Sequence, residues 1–140
     1  MDRLFVDTGA WCAFFNRADP RQGAVAQVLQ EWQERLVTTD YIFDELVTLL
    51  RKRVGHKTAL LAGKALRSGD LSDWISTEAS DLSAAWQQFM RDSDKAYSFT
   101  DCASFAVMRR LRIVRAASVD AEFRQAGFQV LPDLGSGGGR

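Results

Sequence analysis

A chain of 140 residues and 15.7 kDa has the length of one domain, and 46% hydrophobic residues with four Trp and nine Phe supply a core, which excludes disorder for its body. Eighteen basic residues cancel eighteen acidic ones, so no global basic field marks a nucleic-acid binder, and any polyanion must be held by local patches or metal ions. Cys12 and Cys102 form neither a CxxC pair nor a disulfide framework, no signal-peptide pattern opens the sequence, and no stretch approaches the roughly 18 apolar residues that cross a bilayer. The expectation is a soluble cytoplasmic protein without membrane contact, its cysteines small buried apolar side chains.

In chain order, Arg3 to Val6 is a short apolar strand stopped by Asp7-Thr8-Gly9, which puts Asp7 at a strand's C-terminal end. Helical spacing follows over Ala10–Phe15 and, after Asp19-Pro20, through Val25, Val28, Leu29 and Trp32. Arg35–Thr39 is short and β-branched, hence strand two, with Asp40 as the expected cap of the next helix. That helix runs from Tyr41 to about Val54 with Ile42, Phe43, Leu46, Val47, Leu49, Leu50 and Val54 on one stripe. Next come a helix over Thr58–Arg67, a strand over Leu71–Thr77, and a helix from Glu78 to about Arg91. Thr100-Asp101 opens a helix through Leu111, Ile113–Val119 is a strand delivering Asp120, and Ala121–Gln125 and Phe128–Leu131 close the pattern. Alternating strands and helices predict an α/β fold: one domain over residues 1–133, with a parallel sheet of about four to five strands and helices on both faces. Residues 134–140 are read as a flexible Gly-rich tail, since they follow no strand and open no helix as a phosphate loop must.

Ligands of open α/β sheets bind outside the carboxyl ends of the strands. Asp7 and Asp120 belong there, Asp101 belongs to a helix's first turn, and Glu45 lies on one margin of an apolar stripe whose other margin carries Asp44; helix geometry barely separates those two. Singly, each acid is explained as a cap, a first-turn charge or a solvated residue. Jointly they can point into one crevice, where crowded carboxylates raise one another's pKa unless a cation neutralises them. With no His or Cys among them, that ion is oxygen-loving: Mg²⁺, or Mn²⁺ as its substitute.

Four blocks, in order from about residue 3 to 132, carry a resemblance. Val6-Asp7-Thr8-Gly9-Ala10-Trp11, then Thr38-Thr39-Asp40 ahead of Asp44-Glu45-Leu46, then Ser98 to Phe105 around Asp101, and Ser118-Val119-Asp120 with Phe123 and Gln125-Ala126-Gly127-Phe128 together resemble a PIN-domain ribonuclease of the VapC type, the toxin half of type II toxin–antitoxin pairs. Gly9 stands where this family often has Ser, and Ser118 where it often has Thr. The resemblance implies a Mg²⁺- or Mn²⁺-dependent endoribonuclease, acting as a homodimer and silenced by a small antitoxin protein. It selects Glu45 over Asp44 and makes Asp7, Glu45, Asp101 and Asp120 both catalytic and metal-holding, with Thr8, Ser98 and Thr100 as hydroxyls for substrate or for support.

The remaining chemistry-bearing residues are weaker signals. His56 is the sole histidine, so a metal-free ribonuclease working through two His is not available. Arg51, Lys52, Arg53 and Lys57, and Arg109 to Arg115, are solvated helix charges or, beside an acidic crevice, holders of RNA phosphates. Trp11, Phe14 and Phe15 are read as core packing, with stacking of unpaired bases as the functional alternative. Rival readings are a PIN nuclease of RNA processing without an antitoxin, and an Asp-dependent phosphatase or receiver-like domain. A haloacid-dehalogenase-type phosphatase needs an acid two residues after the first, where this chain has Gly9.

Overall fold

Leu4–Val6, fully buried, forms β1 at the centre of the sheet. The computed structural model describes residues 2–133, and the predicted Gly-rich tail lies outside the described residues. After β1 come α1 (Thr8–Phe15), α2 (Gln22–Glu31), β2 (Leu36–Thr39), α3 (Asp40–Arg53), α4 (His56–Ser68), β3 (Asp73–Ile75), α5 (Ala79–Arg91), α6 (Phe99–Leu111), β4 (Arg115–Ala117), α7 (Glu122–Gln125) and β5 (Gln129–Leu131). The five strands lie in the order β3-β2-β1-β4-β5 and every neighbouring pair is parallel, with Leu4 opposite Leu36 and Val6 opposite Ala117. This is the expected α/β architecture. Chain progression runs outward one way through β2 and β3 and the other way through β5, so β1 and β4 flank the switch point, and right-handed connections send helices to both faces.

The core sits against β1 and gathers Phe5, Trp11, Ile42, Leu46, Leu50, Phe105, Met108 and Phe123. Burying an aromatic or long aliphatic side chain contributes about 1.5–3 kcal/mol each. Trp11 is fully buried and packs on Phe14 and Phe15, the packing role expected of it. Of the α3 stripe, Ile42, Leu46 and Leu50 are buried, whereas Val54 is exposed because the helix has already ended at Arg53.

Several boundaries differ for identifiable reasons. Thr39, not Asp40, caps α3, its hydroxyl accepting from Ile42 N–H at 3.1 Å. The Asp40 carboxylate instead accepts the Thr77 N–H and hydroxyl at 2.9 and 2.6 Å, which draws Thr77 away from the ladder and leaves β3 three residues long. Ser98, not Thr100, caps α6. The strand expected from Ile113 starts only at Arg115, because Arg112 turns left-handed at φ 58° and Ile113 N–H returns to Met108 C=O.

Candidate active site

Asp7 leaves β1 and caps α1: one oxygen accepts the Thr8 N–H at 2.7 Å, the other the Ser118 hydroxyl at 3.0 Å. Only 4% of Asp7 is exposed. Burial first, and then the charge of Asp101, push its carboxyl up to about 8 against these two hydrogen bonds. Asp101 is the third residue of α6, in a reciprocal capping box with Ser98 in which each side chain accepts the other residue's N–H at 2.9 Å. Burial, with Glu122 and Glu45 nearby, raises its carboxyl to about 6 despite that box. Glu45 comes from the second turn of α3. Asp120 follows β4, with its N–H donated to the Ser118 hydroxyl oxygen at 3.2 Å.

All four acids line one cleft of about 400 Å³ at the switch point, together with Thr8 and Ser98 among the expected hydroxyls; Thr100 is not part of its wall. Cys12 lines it too, half-buried rather than buried, while Cys102 is buried as expected; burial raises both thiols to about 11, so neither is a ready nucleophile. His56 lies outside, against Arg51 in a separate groove between α3 and α4.

Other residues in and behind this wall carry weight beyond the four acids. Ser118 bridges Asp7 and Asp120, so the hydroxyl two residues before the last acid is an organising group. Asp19 and Glu122 bring the acids of the wall to six, Glu122 being presented by the four-residue α7. Arg21 and Arg53 add two cations. A Cβ on Gly9 would sit 3.0 Å from both an Asp120 carboxylate oxygen and the Val119 side chain, so glycine here is what lets Asp120 approach the start of α1. The same crowding leaves no room at position 9 for a phosphatase-type second acid.

Two observations bear on whether these residues suit a divalent ion. The donors are carboxylates and hydroxyls only, and the Thr8 hydroxyl oxygen is buried with no partner, a spare polar group in an acid-lined wall. On the other side, among the described residues no three His, Cys, Asp or Glu side chains stand close enough to clasp one ion between them. The hydrogen bonds explain this: Asp7 and Asp101 are turned toward their helix N-termini. A Mg²⁺-like ion, which keeps several waters and takes one or two carboxylates directly, fits this wall better than a fully dehydrated cation would.

A model of the PIN domain matches residues 4–129. Over 134 residues the chain is 37% identical to the 23S rRNA-specific endonuclease VapC20 of Mycobacterium tuberculosis, covering 93% of this chain and 99% of that protein. It is 25% identical to Ribonuclease VapC26 of the same organism, with 96% of each covered. The crystal structure of M. tuberculosis VapC20, a sarcin-ricin loop cleaving toxin, superposes with a TM-score of 0.85 at 34% identity, covering 89% of this chain and 95% of that one. DNA-bound VapBC of Salmonella typhimurium shares the fold, with a TM-score of 0.68 at 12% identity over 93% and 97% of the two chains.

Proposed function

The chain belongs to the PIN-domain family, among its VapC-type members, and from that premise we propose that it is a Mg²⁺- or Mn²⁺-dependent endoribonuclease acting as the toxin of a toxin–antitoxin pair. The observation that carries the reading is the convergence of Asp7, Glu45, Asp101 and Asp120, from four separate elements, on one cleft at the switch point of the sheet. In this reading Asp7, Glu45 and Asp101 would hold the principal ion, with Asp120 as a further carboxylate available to it. The chemistry such an ion supplies when bound is a lower pKa for the attacking water and neutralisation of charge building on the phosphate and leaving oxygen. Ser118 fixes the direction of the Asp7 carboxylate, Ser98 anchors Asp101, and the buried Thr8 hydroxyl is a spare polar group behind them. Because burial raises the Asp7 carboxyl to about 8, Asp7 would have to give up its proton to serve as a ligand near neutral pH.

The groove between α3 and α4 supports a protein partner. Its floor is Phe43, Val47, Ala59 and Leu60, and Arg51, Lys52, Lys64 and Arg67 rim it, a surface suited to an amphipathic segment with acidic flanks. A cationic side chain of the same antitoxin entering the acid cleft would oppose the ion there. The exposed side chains of Trp86, Phe89 and Met90 on α5 support self-association as a homodimer. Among the described residues no helix is long and apolar enough to cross a membrane, which is compatible with the cytoplasmic location that access to RNA requires.

The test is incubation of the purified protein with RNA, beginning with 23S rRNA, in Mg²⁺ or Mn²⁺ and in EDTA. Cleavage at defined positions that stops in EDTA supports the reading; cleavage indifferent to EDTA, or none on any RNA, contradicts it.

A further inference from the structure

Two guanidinium groups share the cleft wall with six carboxylates, Asp19 among them, and they are not equivalent. Arg21 is committed: its Nε and Nη2 donate to the two oxygens of Asp19 at 3.1 and 3.0 Å, and its backbone N–H donates to the same carboxylate at 2.8 Å. Arg53, exposed in the last turn of α3, makes no hydrogen bond and no ion pair among the described residues. Its charge nonetheless reaches into the cleft, since it acts on the Cys12 thiol more strongly than Glu45 or Asp7 does. Its sequence neighbours Arg51 and Lys52 line the α3–α4 groove instead, so of this basic run only Arg53 belongs to the acid wall.

The helix explains the sorting. Glu45, Leu49 and Arg53 recur at intervals of four on α3 and all three line the cleft. Eight residues of helix separate the Glu45 and Arg53 backbones by about 12 Å, a distance that suits two different phosphates of one strand rather than a single phosphate. Asp19 is paired with Arg21, and a strand entering a cleft of the five remaining carboxylates is repelled wherever no cation faces it. An ion held by the acids offsets this only at the scissile phosphate, and Arg21 has already been neutralised by Asp19.

Resting on the RNA-cleavage reading, we propose that Arg53 is a substrate-binding residue that clamps a phosphate flanking the scissile one, which makes α3 carry both a metal-holding acid and a strand-holding cation. An unpaired guanidinium is preorganised for this, because its forked donors match phosphate without first breaking an internal ion pair.

The experiment is steady-state cleavage of a fluorescently labelled single-stranded RNA by the wild type, Arg53→Ala and Arg53→Lys in Mn²⁺, between about 50 and 200 mM salt. Arg53→Ala is expected to raise KM about tenfold with kcat within about twofold, and to reduce the slope of log(kcat/KM) against log[salt] by about 0.7, the loss of one phosphate contact on a single strand. Arg53→Lys recovers most of KM, and the melting temperature of Arg53→Ala stays at the wild-type value, because the side chain holds nothing in the folded protein. A substrate series carrying one neutral methylphosphonate each locates the contact: at one flanking position the replacement weakens the wild type but not Arg53→Ala. Wild-type KM and salt slope in Arg53→Ala, or a fall in kcat alone, overturn the assignment. A wild type that neither binds nor cleaves RNA overturns the RNA-cleavage reading itself, and this assignment with it.

Discussion

Replacing Asp7 by Asn should stabilise the metal-free protein while abolishing its activity. The carboxyl is raised from 3.8 to about 8 by burial and by Asp101, which ionises first, near 6. A carboxyl with a raised folded pKa binds a proton in the native state that it has lost in the unfolded state, so stability falls as pH rises from about 4 to 8 and levels off above. At 1.36 kcal/mol per pH unit the cost to the wild type reaches at most about 4 kcal/mol at pH 7. Asn carries no such proton and keeps the local bonds. Its carbonyl still accepts the Thr8 N–H, and its amide can donate to the Ser118 oxygen, freeing that hydroxyl to donate to the Asp120 carbonyl oxygen 3.5 Å away. Urea unfolding in EDTA across pH 4–9 is the assay. Asp7→Asn should exceed the wild type by roughly 1–4 kcal/mol at pH 7–8 and converge with it near pH 4, while losing the upward melting shift that Mn²⁺ gives the wild type. A difference that does not change with pH, or an Asn variant less stable at pH 8, would refute the picture of a strained acid awaiting a cation.

Other consequences are more local. Ser118→Ala removes the donor to Asp7 and the acceptor of the Asp120 N–H together, and should lower RNA cleavage about tenfold with little change in melting temperature, read from initial rates at saturating Mn²⁺. Arg110→Ala strips the charged partner from Asp81, which is 3% exposed and keeps only the Glu78 N–H; burial raises that carboxyl, but the hydrogen bonds from Arg110 and Glu78 outweigh it and hold it below the usual range. The α5–α6 pair should lose about 3 kcal/mol, seen in the urea midpoint, and the loss should ease as pH falls and Asp81 takes up a proton. Leu60→Glu, on the floor of the α3–α4 groove, should end co-purification with a small partner protein while leaving RNA cleavage intact, and continued co-purification would move the partner elsewhere.

Legibility from sequence followed how local each signal was. The β1–Asp7 junction needs only an apolar run that stops at a cap, and Asp101 sits in a Ser-x-x-Asp capping box; choosing Thr100 as the cap overlooked that this box begins at Ser98. Asp44 and Glu45 flank the same stripe, and residue spacing did not separate them; what does is the neighbouring helix α1, which closes the cleft on the Glu45 side. Ser118 was noted only as standing where the family often has Thr, and Glu122 escaped notice, because their roles depend on a two-residue turn and a four-residue helix, too short for any periodicity. Arg53 was inseparable from Arg51 and Lys52 without the position of α4, and the need for Gly9 follows from the return of Val119 and Asp120, a contact more than a hundred residues distant in sequence.

The central claim, that four acids form one cation-dependent RNA-cleaving site, is tested most directly by the cleavage rate as a function of Mn²⁺ concentration for the wild type, Asp101→Asn and Asp120→Asn. The account predicts a saturable rise from zero in EDTA for the wild type, a loss of at least about 100-fold at every concentration for Asp101→Asn, and roughly tenfold more Mn²⁺ for half-maximal rate in Asp120→Asn. Cleavage persisting in EDTA, or three superimposable curves, would contradict it.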